Sequence, residues 1–117
     1  MNSFKELKVW QKAMDLVTDI YAITTIFPQH EQFGITSQIR RSSISIPSNI
    51  AEGFGRNSNN EFVRFLRIAI GSLFELQTQL EISKNLKFIS TEEFNKMLLE
   101  STEIEKMIKA LIKSINK

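Results

Sequence analysis

A chain of 117 residues has room for one core, so a single domain spanning residues 1–117 is expected. It has no cysteine, which excludes disulfides, thiolate metal sites and cysteine nucleophiles and fits a reducing cytoplasm. With neither a signal-peptide-like start nor an 18-residue apolar run it reads as a cytoplasmic protein that does not cross a membrane, and its net charge of only +2 is by itself a weak hint of a nucleic-acid partner.

Ser3 and Glu6 have the S-x-x-E spacing of a capping box, which predicts a first helix over 4–27. Leu7, Trp10, Met14, Val17 and Tyr21 then fall on one stripe, and Pro28 is expected to end the helix. After a polar connection from Pro28 to Gly34, Thr36 or Ser37 can cap a second helix over 36–54. Its stripe is Ile39, Ser43, Ile46, Ile50 and Phe54, and Gly53 and Gly55 mark its end. Pro47 inside it removes a hydrogen bond, which predicts a kink that curves the helix around its neighbours.

Ser58 and Glu61 form a second box, opening a third helix over 59–86. Between Phe62 and Leu76 its apolar residues are too many for one stripe, so it is expected to be covered on two sides, by a bundle neighbour and by a second subunit. Gly71 and Ser72 are small enough to let another helix come close. Ser90 and Glu93 open the fourth helix, 91–116, with Phe94, Met97, Leu98, Ile104, Ile108, Leu111 and Ile115 facing inward. No strand pattern is present, and the short connections make consecutive helices antiparallel neighbours. The expected fold class is all-α, an antiparallel up-down-up-down four-helix bundle.

Chemistry is sparse. His30 is the only histidine, and no Glu-x-x-His pair exists, which removes the di-iron site that such bundles can hold. A Ser-His-Asp mechanism also lacks an acid placed to orient His30. Gly53-Phe54-Gly55-Arg56 follows a helix rather than a strand and lacks a Lys-Ser/Thr ending, so it terminates a helix and does not cradle phosphate. No catalytic residue, metal, cofactor or small-molecule substrate is expected. Glu52 and Glu75 would be candidate general acids or bases if buried, but pairing with arginine is the more ordinary role of such residues. All five arginines (Arg40, Arg41, Arg56, Arg64 and Arg67) lie between positions 40 and 67, and every lysine lies outside that window. The planar guanidinium fork suits phosphate as well as carboxylate. The arginines therefore either contact nucleic-acid phosphates or pair with Glu52, Glu61 and Glu75.

The segments Leu7-Lys8-Val9-Trp10, Phe27-Pro28, Glu31 with Gly34, and Thr36-Ser37-Gln38-Ile39-Arg40-Arg41 carry a resemblance. It continues through Ser45-Ile46-Pro47-Ser48-Asn49-Ile50-Ala51-Glu52-Gly53, Arg56, Phe65-Leu66, Ala69-Ile70-Gly71-Ser72 and Glu75. The chain resembles the four helix bundle proteins encoded within intervening sequences of bacterial large-subunit ribosomal RNA genes, relatives of the accessory variability protein of diversity-generating retroelements. The resemblance covers nearly the whole chain and rests on Ser45, Pro47, Asn49, Glu52, Gly53, Gly71, Ser72 and Glu75 as signature positions; the last helix matches only in pattern. It implies a ring-like homopentamer, binding of structured RNA or DNA, and no enzymatic activity.

Overall fold

The computed structural model describes residues 2–117 and contains four long helices and, among the described residues, no strand. They are α1 (Lys8–Thr24), α2 (Ile35–Phe54), α3 (Asn59–Asn85) and α4 (Thr91–Ile115), preceded and interrupted by 3-10 turns at Phe4–Glu6 and Gln29–Glu31. Each helix packs on its neighbours in the chain, and α4 also returns to α1. The body measures 44 × 23 × 20 Å, its long axis matching α3, whose 27 residues span about 40 Å at 1.5 Å per residue. Ala13, Leu16 and Ile20 of α1 meet Ile39, Ile46 and Ile50 of α2, Leu66, Leu73, Leu76 and Leu80 of α3, and Met97, Ile104 and Ile108 of α4 in one core.

The first helix starts later than its box suggested. Ser3 Oγ accepts from the Lys5 amide at 3.1 Å, which closes only a 3-10 turn, and Leu7 is extended (φ −70°, ψ 121°). Phe4 packs edge-on against Trp10 at 5.2 Å, and the Gln11 side-chain amide donates to the Lys5 carbonyl at 2.8 Å, so the N-terminal turn folds against α1 instead of extending it. α1 also ends before Pro28. Thr24 and Thr25 donate their hydroxyls back to the Ile20 and Tyr21 carbonyls at 2.7 and 3.0 Å, and the chain then turns to bury Phe27, whose ring lies 5.5 Å from Phe88. Tertiary burial of Phe27 overrides helix continuation.

At the start of α2 neither Thr36 nor Ser37 is the cap. Gly34 occupies that position, and the Glu31 carboxylate accepts weakly from the Ile35 amide at 3.4 Å. α2 runs through Pro47, which is buried. Proline brings no N–H, so the Ser43 carbonyl loses its partner; the nearby Asn49 amide donates to the Ser45 carbonyl and hydroxyl at 2.8 and 2.9 Å. The glycines after it act by size rather than by left-handed backbone. No glycine has positive φ among the described residues, whereas Asn57 does (54°), in the turn that leads to α3.

α2 and α3 are joined by polar as well as apolar contacts. Ser42 Oγ donates to Gln79 Oε1 at 2.7 Å in the core, and the Ser45 and Ser72 hydroxyls lie 2.8 Å apart. Ser72 thus meets α2, while Gly71 faces open space. α3 is only partly covered by its neighbours: Phe65, Leu66, Ala69, Leu73 and Leu76 are buried, but Ile68 and Phe74 are exposed.

The caps of the last two helices differ. Ser58 Oγ accepts from the Glu61 amide, but the Glu61 carboxylate turns to Arg64, so only half of that box forms. At α4 both halves are present: Ser90 Oγ accepts from the Glu93 amide at 3.0 Å, and the Glu93 carboxylate accepts from the Ser90 amide at 3.0 Å. Ser90→Ala is expected to cost about 1 kcal/mol in urea unfolding. Ser3→Ala, which loses only a 3-10 turn, should cost less than about 0.5 kcal/mol. Equal losses would show that the reciprocal bond adds nothing.

Candidate nucleic-acid interface

The arginines of α2 and α3 divide into three groups. Arg56 and Arg64 sit at the α2–α3 turn, each held by a glutamate on its own helix or the preceding one: Arg56 to Glu52 at 3.0 Å, and Arg64 in a two-bond fork to Glu61 at 2.9 and 3.1 Å. Both guanidinium groups also lie over the Phe65 ring, at 5.0 and 4.5 Å from its centre. The Arg64 hydrogen bond holds the Glu61 carboxyl below its ordinary value. These pairs are exposed, so they neutralise charge locally more than they stabilise the fold.

Arg40 is fixed differently. Its Nε donates to Thr24 Oγ1 at 2.8 Å, and its guanidinium lies 4.6 Å from the centre of the Tyr21 ring. Both contacts come from α1, and among the described residues they leave its terminal nitrogens without a partner.

Arg41 and Arg67 are exposed and, among the described residues, form no ion pair or side-chain hydrogen bond. Arg67 lies with Lys109 and Lys113 around a cleft of about 400 Å³ floored by Ile70 and Ile112, between α3 and α4. Lys109 is shared with Glu105 at 2.8 Å, and that hydrogen bond holds the Glu105 carboxyl below its ordinary value. The two lysines are one helical turn apart on α4, but which arginine they would meet depends on the crossing of α3 and α4, which the sequence does not show.

Glu75 is exposed and without an ion pair among the described residues, and Glu52 is exposed as well. Neither is buried, the condition on which either would be a candidate acid or base. Sequence reasoning missed a carboxyl that is partly buried. Burial pushes the Glu100 carboxyl up to about 7, reinforced by hydrogen bonding and repulsion from Asp19 and by repulsion from Asp15, and opposed by Lys96. Its Oε2 is shut away from solvent with no hydrogen-bond partner among the described residues. The adjoining cleft, lined by Lys12, Asp15, Glu100, Glu103 and Ile104, holds only about 60 Å³, room for a few waters and far short of a substrate pocket of about 300 Å³. Lys12 bridges to Glu103 at 2.8 Å across its mouth, a bond that raises the Lys12 ammonium.

Among the described residues no group of three histidine or acidic side chains is arranged to hold a metal, and no helix is long and apolar enough to cross a membrane. His30 is exposed, its imidazole 3.8 Å from the Glu31 carboxylate.

The comparisons agree with this architecture. A crystal structure of a protein with unknown function from the S23 ribosomal protein family of Bacteroides thetaiotaomicron VPI-5482 is similar in fold, with a TM-score of 0.82 and 28% identity, over 90% of this chain and 98% of that one. No curated protein matches the chain. Residues 5–110 match the 23S rRNA-intervening sequence protein family. The match takes in the signature from Ser45 to Gly53, the arginines of α2 and α3 and all but the end of α4, and the chain belongs to the 23S rRNA-intervening sequence protein family.

Proposed function

We propose that the protein is a non-enzymatic, cytoplasmic homo-oligomer, a ring of antiparallel up-down-up-down four-helix bundles with five subunits, that binds structured RNA or DNA through its phosphates. The observation that carries the binding reading is a set of cations without carboxylate partners: Arg67 and Lys113, with the Glu105-paired Lys109 beside them, on one side of the body, and Arg41 with the open end of Arg40 on another. Arg56 and Arg64, already matched by glutamates, contribute less field to such a surface. The exposed Ile68 and Phe74 of α3 and Leu99 of α4 support contact between subunits, because α3 carries more apolar surface than its own bundle covers. Phosphate contacts ignore sequence, so selectivity would come from the shape of the nucleic acid.

Binding of a structured RNA should weaken steeply as salt rises. Removing Arg67 and Lys113 together should flatten the log–log slope by about 1.5, since each phosphate contact contributes about 0.7–0.9. Arg64→Ala should change it by less than about 0.5. Salt-independent binding, or equal effects of the two variants, would overturn the phosphate reading.

The second reading is an assembly module without nucleic-acid affinity, favoured by the pairing of Arg56 and Arg64 with Glu52 and Glu61. Light scattering at low and high salt, with and without structured RNA, separates the two: the module keeps its mass in every condition.

A further inference from the structure

Two adjoining depressions of about 450 and 400 Å³ flank the turn between α1 and α2, and both are lined by Gln32, Thr36 and Arg40. The second is bordered by the most exposed large apolar side chain described, Phe33 at 89%, together with Tyr21 and Arg41. A phenylalanine left in water next to two arginines has no role in the core of this chain. Thr36, in the first turn of α2, is only 7% exposed and keeps a buried hydroxyl with no hydrogen-bond partner among the described residues, while the Glu31 carboxylate meets the Ile35 amide at the helix end at 3.4 Å.

From this arrangement the geometry points to a site for one unpaired nucleotide, its base stacked on Phe33 and its phosphate in the fork of Arg40 with Arg41 beside it. Arg40 is suited to the task because Tyr21 and Thr24 already hold its guanidinium, so little side-chain freedom is lost when its terminal nitrogens bind two phosphate oxygens. A base–aromatic stack beside a cationic track is the physical basis of single-strand binding and tolerates any base. The inference rests on the nucleic-acid reading above and deepens it: duplex phosphates engage the Arg67 cleft, whereas this groove takes a base that pairs with nothing. The same chemistry is offered by a free nucleoside monophosphate.

The test is fluorescence anisotropy with a labelled 12-nucleotide single-stranded RNA, a labelled duplex of the same sequence, and AMP as competitor. Phe33→Ala, which removes a side chain from solvent and leaves the core intact, is expected to weaken single-strand binding about tenfold and duplex binding less than twofold, with unchanged mass in light scattering. Competition by AMP at concentrations near the single-strand affinity would assign the groove to a free nucleotide. Competition only at far higher concentrations would assign it to a strand. A Phe33→Ala variant that binds single strands normally, or that loses mass because Phe33 joins two copies of the chain, would overturn the site. Duplex binding without any single-strand binding would overturn this site and leave the phosphate reading standing; failure of both RNAs to bind would overturn that reading as well.

Discussion

Gly53→Ala is expected to destabilise the protein by about 2 kcal/mol, lowering the midpoint of thermal unfolding by about 8 °C, even though alanine is the better helix former. A Cβ at this position would lie 2.7 Å from Phe65 Cβ, 3.1 Å from Phe62 Cδ1 and 3.3 Å from the Phe62 carbonyl oxygen. The nearest atom is anchored to the α3 backbone and cannot rotate away, so the new methyl forces α3 off α2. Overpacking of this kind costs about 1–3 kcal/mol, which exceeds the gain in helix propensity of about 1 kcal/mol once the shift also disturbs the Phe54–Phe62 edge contact at 5.9 Å. Gly55 provides the contrast. Its backbone is helical (φ −73°, ψ −10°), and an added Cβ would meet only carbonyl oxygens at 3.6 Å. Gly55→Ala should therefore be neutral or stabilising by a few tenths of a kcal/mol. Circular-dichroism melts of the two variants decide the matter, and equal stability of Gly53→Ala and the parent would refute the close-approach account.

Stability should also fall as pH rises from 5 to 8, because of Glu100. Its folded-state carboxyl titrates at about 7, above its ordinary value of 4.5, so the native state keeps a proton that the unfolded chain has already lost. The protein suffers no penalty below pH 4.5, a growing one between there and about 7, and the whole of it above. A shift of that size corresponds to about 3 kcal/mol, which partial exposure to water reduces to about 1–2 kcal/mol. Glu100→Gln removes the charge while leaving a group able to donate to Asp19. The variant should match the parent at pH 5 and exceed it by about 1–2 kcal/mol at pH 8 in urea unfolding. A stability difference that does not change between those pH values would remove Glu100 as the cause.

The acidic cluster around Glu100 shows why part of this molecule is not legible in one dimension. Asp15 and Asp19 stand four apart on α1, and Glu100 and Glu103 three apart on α4, an ordinary pattern for solvated helix faces. Only the packing of α1 on α4 sets them against one another and shields one oxygen of Glu100. Phe33 was hidden differently. It sits in a connection that reads as polar, and nothing in its neighbours reveals that it stays in water beside Arg40 and Arg41 instead of folding inward as Phe27 does.

Sequence by itself determined the number and kind of elements, because the 3.6-residue recurrence of apolar side chains and the serine caps at Ser58 and Ser90 are local effects acting within a turn or two. The string from Ser45 to Gly53 also identified the family. Tertiary structure decided where α1 stops, since burial of Phe27 outweighs another turn of helix, and why Gly53 must be glycine, since only the approach of α3 makes a methyl group there too large. It decided as well which arginines are spent on glutamates and which remain unpaired, because a salt bridge depends on a distance of a few ångströms, and such distances between helices arise only when the bundle closes.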